Sequence, residues 1–173
     1  ESVLVHDTLT HISNAKAVLS ALMMQTVDFI TNRGTSGALV VTSLEGITTS
    51  FNNGGAVTIT ATSPLTFAVN TTSAGDLIAA AGESAAPGDD LTVNAGVTVR
   101  STAGNVQLTA GDNVLINGTV LSDTGNTTLV SGNDLTNNGT IQATAGNVIL
   151  VVDNDFPAAP NMGVGTLINN GAL

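Results

Sequence analysis

Apolar and polar residues alternate along this chain in short bursts, and the bursts return. Gly104 opens GNVQLTA, Gly125 opens GNTTLVS and Gly146 opens GNVILVV, a period of about 21 residues. Earlier copies open at Gly75 (GDLIAAA) and Gly55 (GAVTITA), with a weaker one at Gly37 (GALVVTS). A second phrase runs between them: GDDLTVNAG from Gly88, GDNVLING from Gly111 and GNDLTNNG from Gly132. LINNGAL from Leu167 repeats LTNNGTI from Leu135 after an interruption. Spacing of two within a unit is the period of a strand.

Across units, the same residue class returns at the same place. Val57, Leu77, Val106, Thr127 and Val148 form one column, and Ile59, Ala79, Leu108, Leu129 and Leu150 the next. Ala61, Ala81, Ala110, Ser131 and Val152 follow. Further columns hold Leu91, Val114, Leu135 and Leu167, then Val99, Val120, Ile141 and Leu173. Three short strands per period predict an all-β fold, a parallel β-solenoid whose inward side chains stack on their own kind about 4.8 Å apart. Glycine opens the strands. Asn-Gly recurs at Asn117, Asn138 and Asn170, and Asx pairs recur at Asp89, Asp112, Asn133 and Asn154. Both residue types suit corners that need left-handed backbone angles. Stacked Asn side chains can also bond along the axis.

The first 33 residues read differently. Ala15, Val18, Leu19, Leu22, Met23, Val27 and Ile30 fall at helical spacing, so Ser13 to Thr31 is expected to form an amphipathic helix. Such a helix would cap the open end of the solenoid or pack on a partner. Ser2 to Thr10 alternates at Val3, Val5 and Leu9 and is a candidate strand. The expected organisation is therefore an N-terminal strand and capping or docking helix over 1–33 and solenoid repeats over 34–173. Insertions at 82–88 and 156–166 break the period. Pro87, Pro157 and Pro160 fit loops there, since proline donates no ladder bond.

Composition narrows the function classes. Thirteen acidic residues against three cations, Lys16, Arg33 and Arg100, give a formal net charge of -10. No basic face exists to meet phosphates, so neither nucleic acid nor an anionic membrane is an expected partner. The most apolar stretch, Ala15 to Ile30, is broken by Ser20, Gln25 and Asp28 and is too polar to enter a bilayer. Aromatics are 2%, all Phe, which leaves no stacking platform for sugars or bases, and cysteine is absent. The chain opens on Glu1, which reads as a processed form or an excised piece.

The phrases AGNVQLTA, GDNVLING and NNGTIQATAGNVIL resemble the repeats of filamentous-haemagglutinin-type adhesins, over about Gly55 to Val152 and weakly to Leu173. The resemblance implies a right-handed parallel β-helix and an exported bacterial protein at the cell surface or outside the cell. The NPN-type motif of that family's secretion domain is not found in the N-terminal region. The expected function is attachment by a noncatalytic adhesin-like segment. Its partners are expected to be surface glycans or proteins, and neighbouring repeats or copies joined end to end. The alternatives are a structural subunit of an extracellular filament or matrix and, more distantly, a polysaccharide-processing β-helix enzyme.

No residue is assigned a catalytic, cofactor-binding or metal role, and no cofactor is expected. Asp89, Asp90, Asp112, Asp134, Asp153 and Asp155 recur near one corner, where Asx turn chemistry and calcium are competing readings. The nonapeptide of calcium-binding β-rolls is absent. Glu83 and Asp89 flank the first insertion and are the one carboxylate pair with room to approach, although a solvated loop explains them. His6 and His11 are not at the spacing of a helical zinc pair. Thr58, Thr60 and Thr62 alternate as an ice-binding array would, but Leu77, Ala79 and Ala81 are expected beneath them and break it. Sequons stand at Asn70, Asn117, Asn126 and Asn138. The strand Asn147 to Val152 is the most apolar in the chain and no helix, charge run or proline is expected over the last coil, so the polypeptide is expected to continue past Leu173 or this end to dock on another subunit.

Overall fold

The computed structural model describes residues 17–21, 30–32, 39–43, 47–48, 51–53, 55–61, 64–82, 87–154 and 164–173. All regular structure among them is strand, arranged in three parallel sheets of seven, six and six strands. The chain visits the sheets in rotation. A five-residue strand such as Val57–Ala61 lies in the first, or long, sheet. Leu65–Phe67 follows in the second and Thr71–Ser73 in the third, and Leu77–Ala81 then returns to the long sheet beside Val57–Ala61. This is a parallel β-solenoid.

The register bears out the columns. Leu108 pairs with Leu129 and Leu129 with Leu150 in the long sheet. In the second, Leu91 pairs with Val114, Val114 with Leu135 and Leu135 with Leu167. In the third, Val99 pairs with Val120 and Val120 with Ile141, and a bridge from Thr140 to Ala172 carries that column toward Leu173. The core is continuous from Val57 to Ile141, with Ile59, Leu77, Leu108, Leu129, Leu135 and Ile141 all at 0% exposure. Alternation within each strand puts the next residue outside, as the Thr127–Ser131 strand shows: Thr127, Leu129 and Ser131 are buried, Thr128 and Val130 are not.

Two columns carry more than the spacing announced. Phe67, Val93, Ile116 and Asn137 stack inward in the second sheet, so an apolar column ends in a buried amide. Asn137 is satisfied there: its Nδ2 donates to Asn169 Oδ1 (2.8 Å) and to the Ala172 carbonyl (3.1 Å), and its Oδ1 accepts from Gly139 N. In the third sheet Ser73, Ser101 and Ser122 stack, fully buried. Ser101 Oγ donates to the Gly75 carbonyl and accepts from Gly104 N, and Ser122 Oγ donates to the Gly104 carbonyl and accepts from Gly125 N. Ser101 and Ser122 thereby fasten their own corners to the coil before, while Ser73 Oγ donates within its own corner to the Gly75 carbonyl.

The recurring glycines have a different cause from the expected one. Positive φ among the described residues occurs at Gly88, which opens one copy of the second phrase, and at Gly96 and Asp153, but at no glycine that opens a long-sheet strand or follows an Asn. The recurrence comes from close approach instead. A Cβ on Gly125 would lie 2.7 Å from the Gly104 carbonyl oxygen, and a Cβ on Gly139 would overlap the Gly118 carbonyl oxygen. Coils stacked at the strand spacing leave no space for a side chain at those points.

Most of the expected helix over Ser13 to Thr31 lies outside the described residues. Its described pieces, Ala17–Ala21 and Ile30–Asn32, are strands that pair with Leu39–Ser43 and Phe51–Asn53. Ala17–Ala21 is too short and too uniformly apolar for its spacing to decide between helix and strand, and an available parallel edge favours the strand. The candidate strand in Ser2 to Thr10 also lies outside the described residues. So do 83–86 and 155–163 of the two insertions, while the strands that flank the insertions hold their columns.

Leu129→Asp is expected to abolish the cooperative thermal transition, because an unpaired carboxylate in this column costs roughly 4 kcal/mol or more. Asp123→Ala, on the outside of the same coil, is expected to lower the melting temperature by no more than about 3 °C. Circular-dichroism melts of both variants check the column register, and equal melts would refute it.

Candidate functional site: the polar corners

Each coil turns between sheets on short Asx-rich corners, and the corner side chains bond along the axis. Where the third sheet hands over to the long sheet, Asp76, Asn105, Asn126 and Asn147 each stand one residue before a strand. Asp76 Oδ1 accepts from the backbone N of Asn105 at 2.7 Å and from its Nδ2 at 3.1 Å. Asn105 Oδ1 accepts from Asn126 N, and Asn126 Oδ1 from Asn147 N, both at 2.9 Å. Side-chain oxygen to next-coil backbone is the repeating contact, and it satisfies an N–H that the corner would otherwise expose.

The corner between the long and second sheets holds the acidic residues. One file runs Asp89, Asp112, Asn133, Asp153, joined by backbone bonds from Asp112 N to Asp89 O, Asn133 N to Asp112 O and Asp153 N to Asn133 O. Its fourth member is therefore Asp153, where the spacing had suggested Asn154. A second file runs Asp90, Asn113, Asp134, Thr166. Asp90 Oδ1 accepts from both nitrogens of Asn113, Asn113 Oδ1 accepts from Asn133 Nδ2 and Asp134 N, and Asp134 Oδ1 accepts from Thr166 N. Asp112 is 4% exposed, and its Oδ2 accepts from Gly88 N at 2.6 Å and Asp89 N at 3.1 Å. That carboxylate holds the chain where it re-enters the solenoid from the first insertion.

A third ladder joins the Asn-Gly corners. Asn138 Nδ2 donates to Asn117 Oδ1 and Asn170 Nδ2 donates to Asn138 Oδ1. Two of the four sequon asparagines, Asn117 and Asn138, are thus in this ladder and Asn126 is in the first. Asn70 Oδ1 accepts from Thr98 N. On the outside of the third sheet Arg100 forms an ion pair with Asp123, Nη2 to Oδ2 at 2.5 Å and Nε to both carboxylate oxygens at 3.1 Å. The hydrogen bonds and then the charge of Asp123 hold the Arg100 guanidinium above its ordinary pKa.

These contacts sort the candidates. The acidic corner is real as a stack, and one carboxylate oxygen each of Asp90, Asp112 and Asp134 accepts from backbone or amide donors. Among the described residues no group of three or more His, Asp or Glu side chains is placed to hold a metal ion. Glu83 lies outside the described residues, so its approach to Asp89 does too, as do His6, His11, Thr62 and Asp155. Thr58 and Thr60 pair with Ile78 and Ala80, whereas Leu77 and Ala79 belong to the inward columns under Val57 and Ile59. The outward file Thr58, Ile78, Gln107, Thr128, Ile149 is still not a regular threonine array. A cavity of about 420 Å³ opens on the last coil between Thr140, Gln142, Val148 and Leu173. The buried serine file went unread in the sequence, although Ser-x-x-Gly at Ser101 and Ser122 carries its signal.

No protein-family model, curated protein or solved structure matches this chain.

Asp112→Ala is expected to lower stability by about 2 kcal/mol, the value of hydrogen bonds to a charged acceptor; urea unfolding measures it. Adding calcium or a chelator is expected to leave the melting temperature unchanged, and a calcium-dependent rise would overturn the turn-chemistry reading of the acidic corner.

Proposed function

We propose that this chain is a noncatalytic segment of an exported, adhesin-like β-helix that presents a rigid surface for attachment at the bacterial cell surface. The observation that carries the reading is where the polar side chains are used. Asp76, Asn105, Asn126, Asp90, Asn113, Asp112, Asn117 and Asn138 all bond to neighbouring coils. Groups tied into an axial ladder hold a rod together; they are not poised to move protons in a cleft. The repeat phrases that resemble filamentous-haemagglutinin-type adhesins support the same reading, and right-handed winding accords with the hand of parallel-strand crossovers in general.

A second reading, a segment of an extracellular filament joined end to end, draws on the last coil. Val148, Leu150 and Val152 are only partly buried against the core, and Leu167 is 47% exposed. A further coil stacked there would cover them, whether it came from the same polypeptide or another copy.

Purified chain is expected to bind cells or an immobilised glycan array saturably, with the Leu129→Asp variant as the unfolded control. It is expected to release no sugar from polysaccharide. Depolymerisation would replace this reading with the enzymatic one, and filaments by negative stain without surface binding would favour the structural one.

A further inference from the structure

Each of the last five strands of the long sheet turns two residues outward, and none of them is charged. Strand by strand they are Thr58 and Thr60, Ile78 and Ala80, Gln107 and Thr109, Thr128 and Val130, Ile149 and Val151. Ile78, Ile149 and Val151 are 39%, 41% and 36% exposed. The same register positions are held by Val40 and Thr42, then Val18 and Ser20, in the two strands before them. The second sheet has one outward residue per strand and the third carries Arg100, so this is the widest uncharged face of the solenoid. Its two rims differ. The rim after the strands holds Asp89, Asp90, Asp112, Asp134 and Asp153; the rim before them holds Asp76, Asn105, Asn126 and Asn147.

We propose that the outer face of the long sheet is a self-association surface on which a second copy of the chain packs face to face, with the two rods parallel. Charge selects both the face and the orientation. A chain of net charge -10 repels its copy most weakly where no charge lies on the contact. If the rods ran antiparallel, the carboxylate rim of one copy would face the carboxylate rim of the other. If they run parallel, related by a two-fold axis along the rod, each carboxylate rim faces the partner's rim of Asn105, Asn126 and Asn147, where Asp76 is the one carboxylate named. The size is adequate for a weak dimer. Seven strands about 4.8 Å apart, six of them five residues long and the last four, cover about 34 by 17 Å. That is roughly 1,100 Å² over both copies, near the lower bound of specific interfaces. Flat faces of threonine and β-branched residues stack about 10 Å apart, as sheets do in a sandwich. This association is lateral and closed at two copies, so it is separate from any end-to-end joining.

Sedimentation equilibrium of the purified chain is expected to show monomer and dimer exchanging in the range of roughly 10 to 500 µM. Thr109→Asp and Thr128→Asp are each expected to weaken the dimer at least about tenfold. Thr92→Asp, outward on the second sheet, is expected to leave it unchanged. The chain has no cysteine, so introduced ones report orientation. In the parallel arrangement strand position two faces position four of the partner. An oxidised mixture of Thr128→Cys and Val130→Cys chains should therefore yield the mixed disulfide dimer in excess of either homodimer. Cross-linking also keeps the proposal testable if an Asp variant fails to fold. A monomer up to roughly 1 mM overturns the proposal. So does a dimer or open-ended polymer that ignores the face substitutions, or cross-linking that favours homodimers.

Discussion

Every coil of this protein must present its neighbour with a copy of itself, because the parallel ladders hold successive strands about 4.8 Å apart along the axis. At that distance a side chain meets the residue at the same position one coil away before it meets anything else. The interior tolerates this where like stacks on like: Leu108, Leu129 and Leu150 in one file, Ser73, Ser101 and Ser122 in another. The corners tolerate it where an Asx oxygen on one coil accepts from the next, as from Asp76 through Asn105 and Asn126 to Asn147. The spacing also excludes a side chain at Gly125 or Gly139, where the carbonyl of the preceding coil already stands.

The same constraint bears on function. A carboxylate that accepts two backbone N–H groups, as Asp112 does, is a structural fastener for a loop. An asparagine that both donates and accepts along the axis, as Asn138 does, commits one donor and one acceptor position to the ladder. What remains free to meet a partner is the outward side of the strands, where threonine, valine, isoleucine and glutamine carry no charge. The proposed attachment would draw on that outward side through many weak and repeated contacts. The ion pair of Arg100 with Asp123 fits that picture: it spans two coils on the outside and adds little beyond what the ladders already hold.

The columns from Val57 to Leu167 were legible in the sequence because in a solenoid the neighbours in space are the neighbours one period away in the chain. Leu129 could be placed between Leu108 and Leu150 by counting. The acidic and Asn-Gly corners were legible for the same reason. Periodicity alone is silent on which partner a polar group takes, so it left the acidic corner open between turn and calcium. Only the coordinates of Asp90, Asn113 and Asp134 display one oxygen of each bonded to amide or backbone donors.

The amino-acid order by itself determined the period, the inward columns and the places where the period breaks, since each follows from residue class at a fixed spacing. The tertiary structure decided what depends on distance between coils. It assigned Gly104, Gly125 and Gly146, and Gly118, Gly139 and Gly171, to close approach, because that contact exists only once a second coil is stacked. It buried Asn137 in an apolar column, where Asn169 and Ala172, brought back from beyond the second insertion, complete its hydrogen bonds. It also placed Ala17–Ala21 in the long sheet, although those residues lie within a stretch of helical spacing. A local pattern too short to decide between two structures is resolved by whichever edge is there to pair with it.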